Sequence, residues 1–257
     1  MEAVGTTLVR SAGSLEEALA LVGKMGFHLV ELGIQSWCDL RPQNLVSDYE
    51  RESARLKALL RKYALTPVAF NAGLGDNGLE EAAAIAALAS ELSVRVVTIN
   101  PGSAEADFEQ EAERLRKLVG IFAARDVQAS LETHMFSVTE QPEDALKLVR
   151  EVEGLGLTLD VSHYYCNGSE NRTGPLMPYV RHVHIRDCGR TWERIQMPYG
   201  EGLLELERWR NRLRDAGYEG RVAVEYIDLP DVAFSVEEAS VRCKAAIESV
   251  WGGANHD

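Results

Sequence analysis

The chain reads as an α/β protein, a single (β/α)8 TIM barrel over residues 1–257, and three observations carry that reading. Its 257 residues match the ~250 typical of one such barrel. Eight short runs rich in β-branched and aliphatic residues alternate with longer segments of helical period, a pattern that implies parallel strands joined by right-handed crossovers. Four of the later runs each end in a side chain able to bind a metal: Ala129-Ser130-Leu131-Glu132, Leu157-Thr158-Leu159-Asp160, His182-Val183-His184 and Val222-Ala223-Val224-Glu225. Such ends converge only where parallel strands share one mouth at their carboxyl ends, the face on which barrel enzymes carry their chemistry.

The predicted strands are Thr6–Val9, His28–Leu32, Thr66–Phe70, Val94–Ile99, Val127–Leu131, Gly156–Leu159, Val180–Ile185 and Arg221–Tyr226. After the first, Ser14 and Glu17 have capping-box spacing before the apolar Ala18, Leu19 and Val22, and the helix they open is expected to end near Gly26. Phe108, Ala112, Leu115, Leu118, Val119 and Phe122 recur at helical spacing and give one face that packs on the strands. Leu204, Trp209 and Leu213 continue the pattern up to the turn Ala216-Gly217-Tyr218-Glu219-Gly220. The weakly patterned stretch Gly168–Pro178 is expected to form a long loop at the active site. An open doubly wound sheet is the competing architecture, but no G-x-G-x-x-G follows a strand. Gly73-Leu74-Gly75 runs into Asp76, Asn77 and Gly78 instead.

A hydrophobic share of 46% with 26% charged residues suits one sizeable core. Only the tail Gly252-Gly253-Ala254-Asn255-His256-Asp257 has linker character. The formal net charge of −13 opposes binding to a nucleic-acid backbone and suits a small uncharged substrate. Cys38, Cys166, Cys188 and Cys243 lie far apart with no C-x-x-C, so a zinc knuckle or disulfide framework is not expected. With no signal-type segment and no membrane-length apolar run in the sequence, a cytoplasmic protein without membrane contact is expected.

Several motifs in order carry a family resemblance: Gly26-Phe27-His28-Leu29-Val30-Glu31-Leu32, Leu131-Glu132-Thr133-His134, Leu159-Asp160-Val161-Ser162-His163, Val180-Arg181-His182-Val183-His184-Ile185-Arg186-Asp187, then Gly200-Glu201-Gly202 through Gly217-Tyr218-Glu219-Gly220 to Val224-Glu225. Over nearly its whole length the chain resembles the xylose isomerase-like TIM barrel superfamily, and within it the sugar phosphate isomerase/epimerase family. The resemblance implies one divalent metal held by Glu132, Asp160, His184 and Glu225. Three oxygens and one nitrogen form a fairly hard donor set that suits Mn2+ first and also accommodates Mg2+, Co2+ or Zn2+. Taken singly, each carboxylate reads as a strand-end salt bridge or helix cap; four candidate ligands on four strand ends read as a site.

The resemblance further implies proton abstraction next to a carbonyl through a metal-chelated enediolate, with Glu132 and Glu225 as the catalytic pair. His163 and Arg190 match positions that hold substrate oxygen in ketose epimerases of the family. His134, Asn71 and Asn100 are further substrate-binding candidates, and Trp37, Trp192 and Tyr164 are candidate apolar walls. Asp187 is expected to orient a ligand, and His182 to be a hydrogen-bonded barrel histidine. Family epimerases carry a further glutamate six residues after the first ligand; here that position is Val138, with Glu140 two beyond. The substrate expected is a small carbohydrate or related polyhydroxy carbonyl compound, and homo-oligomers occur in such families. A metal-dependent dehydratase or lyase acting on an inosose, oxo-sugar or dehydroshikimate-like compound begins with the same step and is the alternative; a non-catalytic barrel subunit of a larger enzyme is another. Endonuclease IV-like DNA repair is disfavoured, because the extra histidine ligands of those three-zinc enzymes correspond to Asn71 and Asn100, and Ile195-Gln196-Met197-Pro198 replaces their Asp-x-His.

Overall fold

Branched aliphatic side chains are stiff at χ1 and favour extended backbone, and eight such runs form strands. They are β1 (Val4–Thr6), β2 (Leu29–Ile34), β3 (Thr66–Ala72), β4 (Val96–Ile99), β5 (Gln128–Glu132), β6 (Gly156–Asp160), β7 (Val180–Ile185) and β8 (Val222–Val224). The computed structural model describes residues 1–75 and 78–252; Asp76, Asn77 and the tail from residue 253 lie outside the described residues. Each strand pairs in parallel with the next, and β8 pairs with β1, so the sheet closes into one eight-stranded barrel. Closure removes every sheet edge.

Helices α1 (Leu15–Lys24), α2 (Pro42–Ser47), α3 (Tyr49–Lys62), α4 (Gly78–Glu91), α5 (Phe108–Ala123), α6 (Pro142–Glu151), α7 (Val161–Cys166), α8 (Leu206–Asp215) and α9 (Val236–Gly252) accompany the strands. Ser14 caps α1 in a full capping box with Glu17. On α5, Ala112, Leu115, Leu118 and Phe122 are buried, with Phe108 and Val119 packed at the margin. On α8 the buried face is Leu206, Trp209 and Leu213, since Leu204 precedes the helix.

Alternation along each strand sorts the residues into two sets. Val97, Ile99, Leu131, Leu157, Leu159, Val183 and Ile185 join the apolar layer beneath the helices. The intervening Thr98, Ser130, Thr158 and His182 face inward, where Thr158 Oγ1 lies 2.8 Å from Thr98 Oγ1 and donates to Ser130 Oγ at 2.9 Å. This hydroxyl layer forms a packed floor under the mouth, as alternate-strand layers do in such barrels.

Two local expectations are corrected. β1 spans Val4–Thr6, not Thr6–Val9, because the Thr6 hydroxyl accepts the Leu8 N–H and turns residues 7–10 into a 3-10 segment. The stretch Gly168–Pro178 is not a loop at the mouth. α7 follows β6 directly, and two 3-10 turns, Glu170–Arg172 and Gly174–Tyr179, return the chain to the amino end of β7, the face opposite the mouth.

Trp209 is fully buried, packs edge-on against Tyr165 at 6.2 Å and donates from Nε1 to its hydroxyl at 3.2 Å. Trp209→Ala is expected to destabilise the fold by about 3–5 kcal/mol, read as a lower urea midpoint at unchanged slope.

Candidate metal centre and active site

The inward side of the strand pattern delivers the site. Glu132 and Asp160 are the last residues of β5 and β6, His184 is the penultimate residue of β7, and Glu225 follows β8 directly. One donor atom from each of these four residues lies within 4.8 Å of every other, and all four residues are buried. His184 Nδ1 sits 3.0 Å from Glu132 Oε1 and 3.2 Å from Glu225 Oε1.

The other nitrogen of His184 is engaged from below. Nε2 donates to Glu31 Oε2 at 3.0 Å, and His182 Nε2 donates to the same oxygen at 2.7 Å. Glu31 thus leaves Nδ1 facing the carboxylates, the carboxylate–histidine arrangement that sets the orientation of a metal-binding imidazole. His182 takes the structural position expected of it. Glu31 carried a sequence signal: it is the one charged residue inside the buried run Leu29-Val30-Glu31-Leu32.

Arg186 is the second group not singled out from sequence. It lies two residues past His184, on the same strand face, and its guanidinium donates to Asp160 Oδ2 at 2.8 Å and Glu225 Oε2 at 2.6 Å. Arg190, expected to touch substrate, is placed elsewhere: it forms two hydrogen bonds to Glu170 at 2.8 and 2.9 Å and its side chain is half exposed. The strand direction is lost between the two positions, so only Arg186 keeps the inward phase.

A cavity of about 240 Å3 opens above the carboxylates, lined among others by Asn71, Asn100, His134, His163 and Trp37. Asn71 Nδ2 donates to Glu225 Oε1 at 2.9 Å, while Gln35 Nε2 donates to Asn71 Oδ1 at 2.9 Å. His163 Nδ1 accepts the Met135 N–H at 3.1 Å, which leaves Nε2 toward Asp160 Oδ2, 3.4 Å away. The His134 ring stacks 4.0 Å from it. Tyr164 is buried and bonds the Thr139 carbonyl, so it packs and forms no wall of the cavity. Glu140 accepts the Phe136 N–H at 2.8 Å, a loop-holding role. Asp187 does not orient a ligand: its carboxylate accepts the N–H groups of Cys188, Gly200, Gly202 and Leu204. A side chain at position 202 would collide with Asp187, so glycine is required for that close approach.

Over residues 19–242 the chain matches the family model for the xylose isomerase-like TIM barrel. The protein belongs to the xylose isomerase-like TIM barrel family. A 3-dehydroshikimate dehydratase of Bacillus anthracis is 25% identical over 172 residues, or 60% of this chain, and the match spans 61% of that relative's length. A xylose isomerase-like TIM barrel protein from Mycobacterium smegmatis, solved in complex with magnesium, has a TM-score of 0.81 at 14% identity, covering 99% of this chain and 98% of that one. A D-tagatose 3-epimerase-like protein has a TM-score of 0.78 at 20% identity, with 99% and 98% covered. At these identities the two structures establish the shared fold.

The donor set of this family member fits a divalent cation. Three buried carboxylates and one imidazole nitrogen point at a common volume, and their negative charge exceeds what Arg186 offsets. Without the metal, protons make up part of the difference. Burial lowers the affinity of His184 for its proton, but Glu225 and Glu31 outweigh it and hold the imidazole pKa well above its ordinary value. Burial pushes Glu225 up to about 7 against the pull of His184 and Arg186. Glu132 is held below the usual carboxylate range: burial opposes ionisation, and the His184 hydrogen bond and charge overcome it. Burial also drives His163 down to about 4, against Asp160.

Metal uptake must therefore displace protons from His184 and Glu225. Calorimetric titration with Mn2+ in buffers of different ionisation enthalpy should show proton release, with affinity falling as the pH drops below about 7; uptake without proton release would contradict this. Glu31→Gln keeps the shape but weakens the acceptor for His184, and should lower Mn2+ affinity about 10–100-fold with little change in melting temperature of the metal-free protein.

Proposed function

We propose that the protein is a divalent-metal-dependent isomerase or epimerase of a small sugar or related polyhydroxy carbonyl compound. Glu132, Asp160, His184 and Glu225 would hold the metal, Mn2+ first and Mg2+, Co2+ or Zn2+ in its place, and Glu132 and Glu225 would move the proton. The observation that carries this reading is the pairing of two glutamates from β5 and β8 about one imidazole nitrogen, at 3.0 and 3.2 Å.

Strands β5 and β8 stand apart around the barrel, so the two carboxylates address a substrate between them from different sides. Their environments also differ. In the metal-free site Glu132 is held ionised while burial pushes Glu225 up to about 7, and a bound cation would displace that proton and leave both glutamates as carboxylates able to accept one. In the step itself, one carboxylate takes the proton from the carbon next to the carbonyl, the C–H electron pair becomes a C=C bond while the carbonyl π pair moves onto oxygen to give an enediolate, and the other glutamate, having taken a proton from solvent, returns it to the opposite face. A bound divalent cation would supply Lewis-acid stabilisation of the developing oxyanion, needed because a positioned base contributes only about 10²–10⁴-fold. Asn71, Asn100, His134 and His163 line the space where substrate hydroxyls would lie. His163, held neutral by burial, offers a hydrogen bond without adding charge.

Dehydration is the second reading, favoured by the resemblance to the 3-dehydroshikimate dehydratase. It shares the first proton abstraction and differs in expelling a β-hydroxyl as water.

Manganese-loaded protein incubated with a panel of ketoses in heavy water should incorporate solvent deuterium at the carbon next to the carbonyl. No exchange across the panel with metal bound would refute the reading, and growth of conjugated-product absorbance in place of exchange would assign the dehydratase. Glu225→Gln should suppress exchange by at least about 10²-fold while leaving substrate affinity largely unchanged; an unaltered exchange rate would exclude Glu225 from proton transfer.

A further inference from the structure

Gln35 follows β2 directly and lines the cavity beside Asn71. Both residues are buried, as is Glu225. A buried side-chain amide has two possible orientations, and its hydrogen-bond partners decide between them. Here the deciding partner is a main-chain oxygen. The amide end of Gln35 that lies 3.2 Å from the Asn71 carbonyl must be its NH2 group, because a carbonyl can only accept. That same nitrogen lies 2.9 Å from the side chain of Asn71, so the Asn71 atom it meets must also be an acceptor, Oδ1. Asn71 Nδ2 is thereby turned to Glu225 Oε1, 2.9 Å away.

Polarity therefore passes from one backbone carbonyl through two amides to a carboxylate. Reversing either amide would set oxygen against oxygen and leave buried acceptors unpaired. Room for this arrangement comes from Gly73, just past β3: a Cβ at that position would collide with Gln35 Oε1. Gln35 thus has both Nε2 hydrogens committed to Asn71 and its oxygen turned to Gly73, so it acts through Asn71 although it lines the cavity.

What depends on this chain is the setting of Glu225. Arg186 donates to Oε2 at 2.6 Å, while Oε1 lies 3.2 Å from His184 Nδ1, on the side where the four donor atoms converge. Arg186 by itself grips one oxygen and leaves the carboxylate able to pivot about that contact. The Asn71 N–H is a second point on the other oxygen, and two points fix its plane. We infer that Gln35 is a positioning residue that orients Asn71 as a donor and so holds Glu225 Oε1 toward the metal and the substrate. This deepens the isomerase or epimerase reading and rests on it for the role of Glu225.

Two variants disturb Gln35 in different ways. Gln35→Met removes the amide at similar length. Gly73→Ala keeps the amide but pushes it from its place, and Gly73 is not among the glycines with left-handed backbone, so alanine suits its conformation. Each should lower Mn2+ affinity in calorimetry by about tenfold, with the melting temperature of the metal-free protein nearly unchanged. A double-mutant cycle tests the route: in an Asn71→Ala background, Gln35→Met should cause no further loss. On the ketose of the panel that exchanges fastest, Gln35→Met should lower the saturated exchange rate about tenfold and change KM by less than about twofold. Native Mn2+ affinity in both single variants would overturn the inference, and so would a loss from Gln35→Met that persists in full without Asn71. The calorimetry uses no sugar, so the two levels separate. Coupled affinity losses with no exchange on any ketose keep the positioning role and count against the proposed reaction; exchange by the unaltered protein with uncoupled losses does the reverse.

Discussion

The structure turns on a buried excess of negative charge. Glu31, Glu132, Asp160 and Glu225 are all nearly inaccessible to water, and an ionised carboxylate in such surroundings is severely destabilised unless it is paired and hydrogen-bonded. The contacts made to these carboxylates answer that constraint. Arg186 spans Asp160 and Glu225, His184 joins Glu132 and Glu225 above to Glu31 below, and Asn71 donates to Glu225. A divalent cation would complete the same balance, which is why the donor geometry and the charge argument lead to one reading.

The two glutamates differ although their donor atoms share one neighbour. Glu225 stands against Arg186, Asn71 and His184, yet burial dominates and brings its ionisation near neutrality; Glu132 remains charged. The difference belongs to the metal-free site, where burial and the neighbouring charges act on the two carboxyl groups unequally. The rigid hydroxyl floor formed by Thr98, Ser130 and Thr158 holds the strands whose ends carry these groups. In this way the packing of the barrel interior bears on the chemistry at its mouth.

Much of the barrel was legible in the sequence, because strand and helix signals are local. The eight strands appear where branched residues cluster, and the Ser14–Glu17 capping box forms as its spacing predicts. The misplacement of β1 and of the Gly168–Pro178 stretch has a different origin. A single hydroxyl-to-backbone bond at Thr6 ends the strand early, and a six-residue helix after β6 leaves the following turns to run to the opposite face. Neither outcome leaves a mark in hydrophobic period. Asp187 was read as a ligand-orienting group from its neighbourhood in the motif, yet it gathers four backbone N–H groups of the Gly200–Leu204 turn.

By itself the sequence determined which residue types stand at strand ends and with which inward or outward phase, since alternation along an extended chain follows from local geometry. That was enough to bring Glu132, Asp160, His184 and Glu225 together once parallel strands closed. Only the tertiary structure decided the partners across the barrel: that Glu31 reaches His184 from 153 positions away, that Arg186 and not Arg190 enters the mouth, and that Phe136 and Trp192 meet. Those pairings depend on barrel closure and on where each loop leaves its strand, and both are set by packing among distant segments rather than by any local preference of the chain.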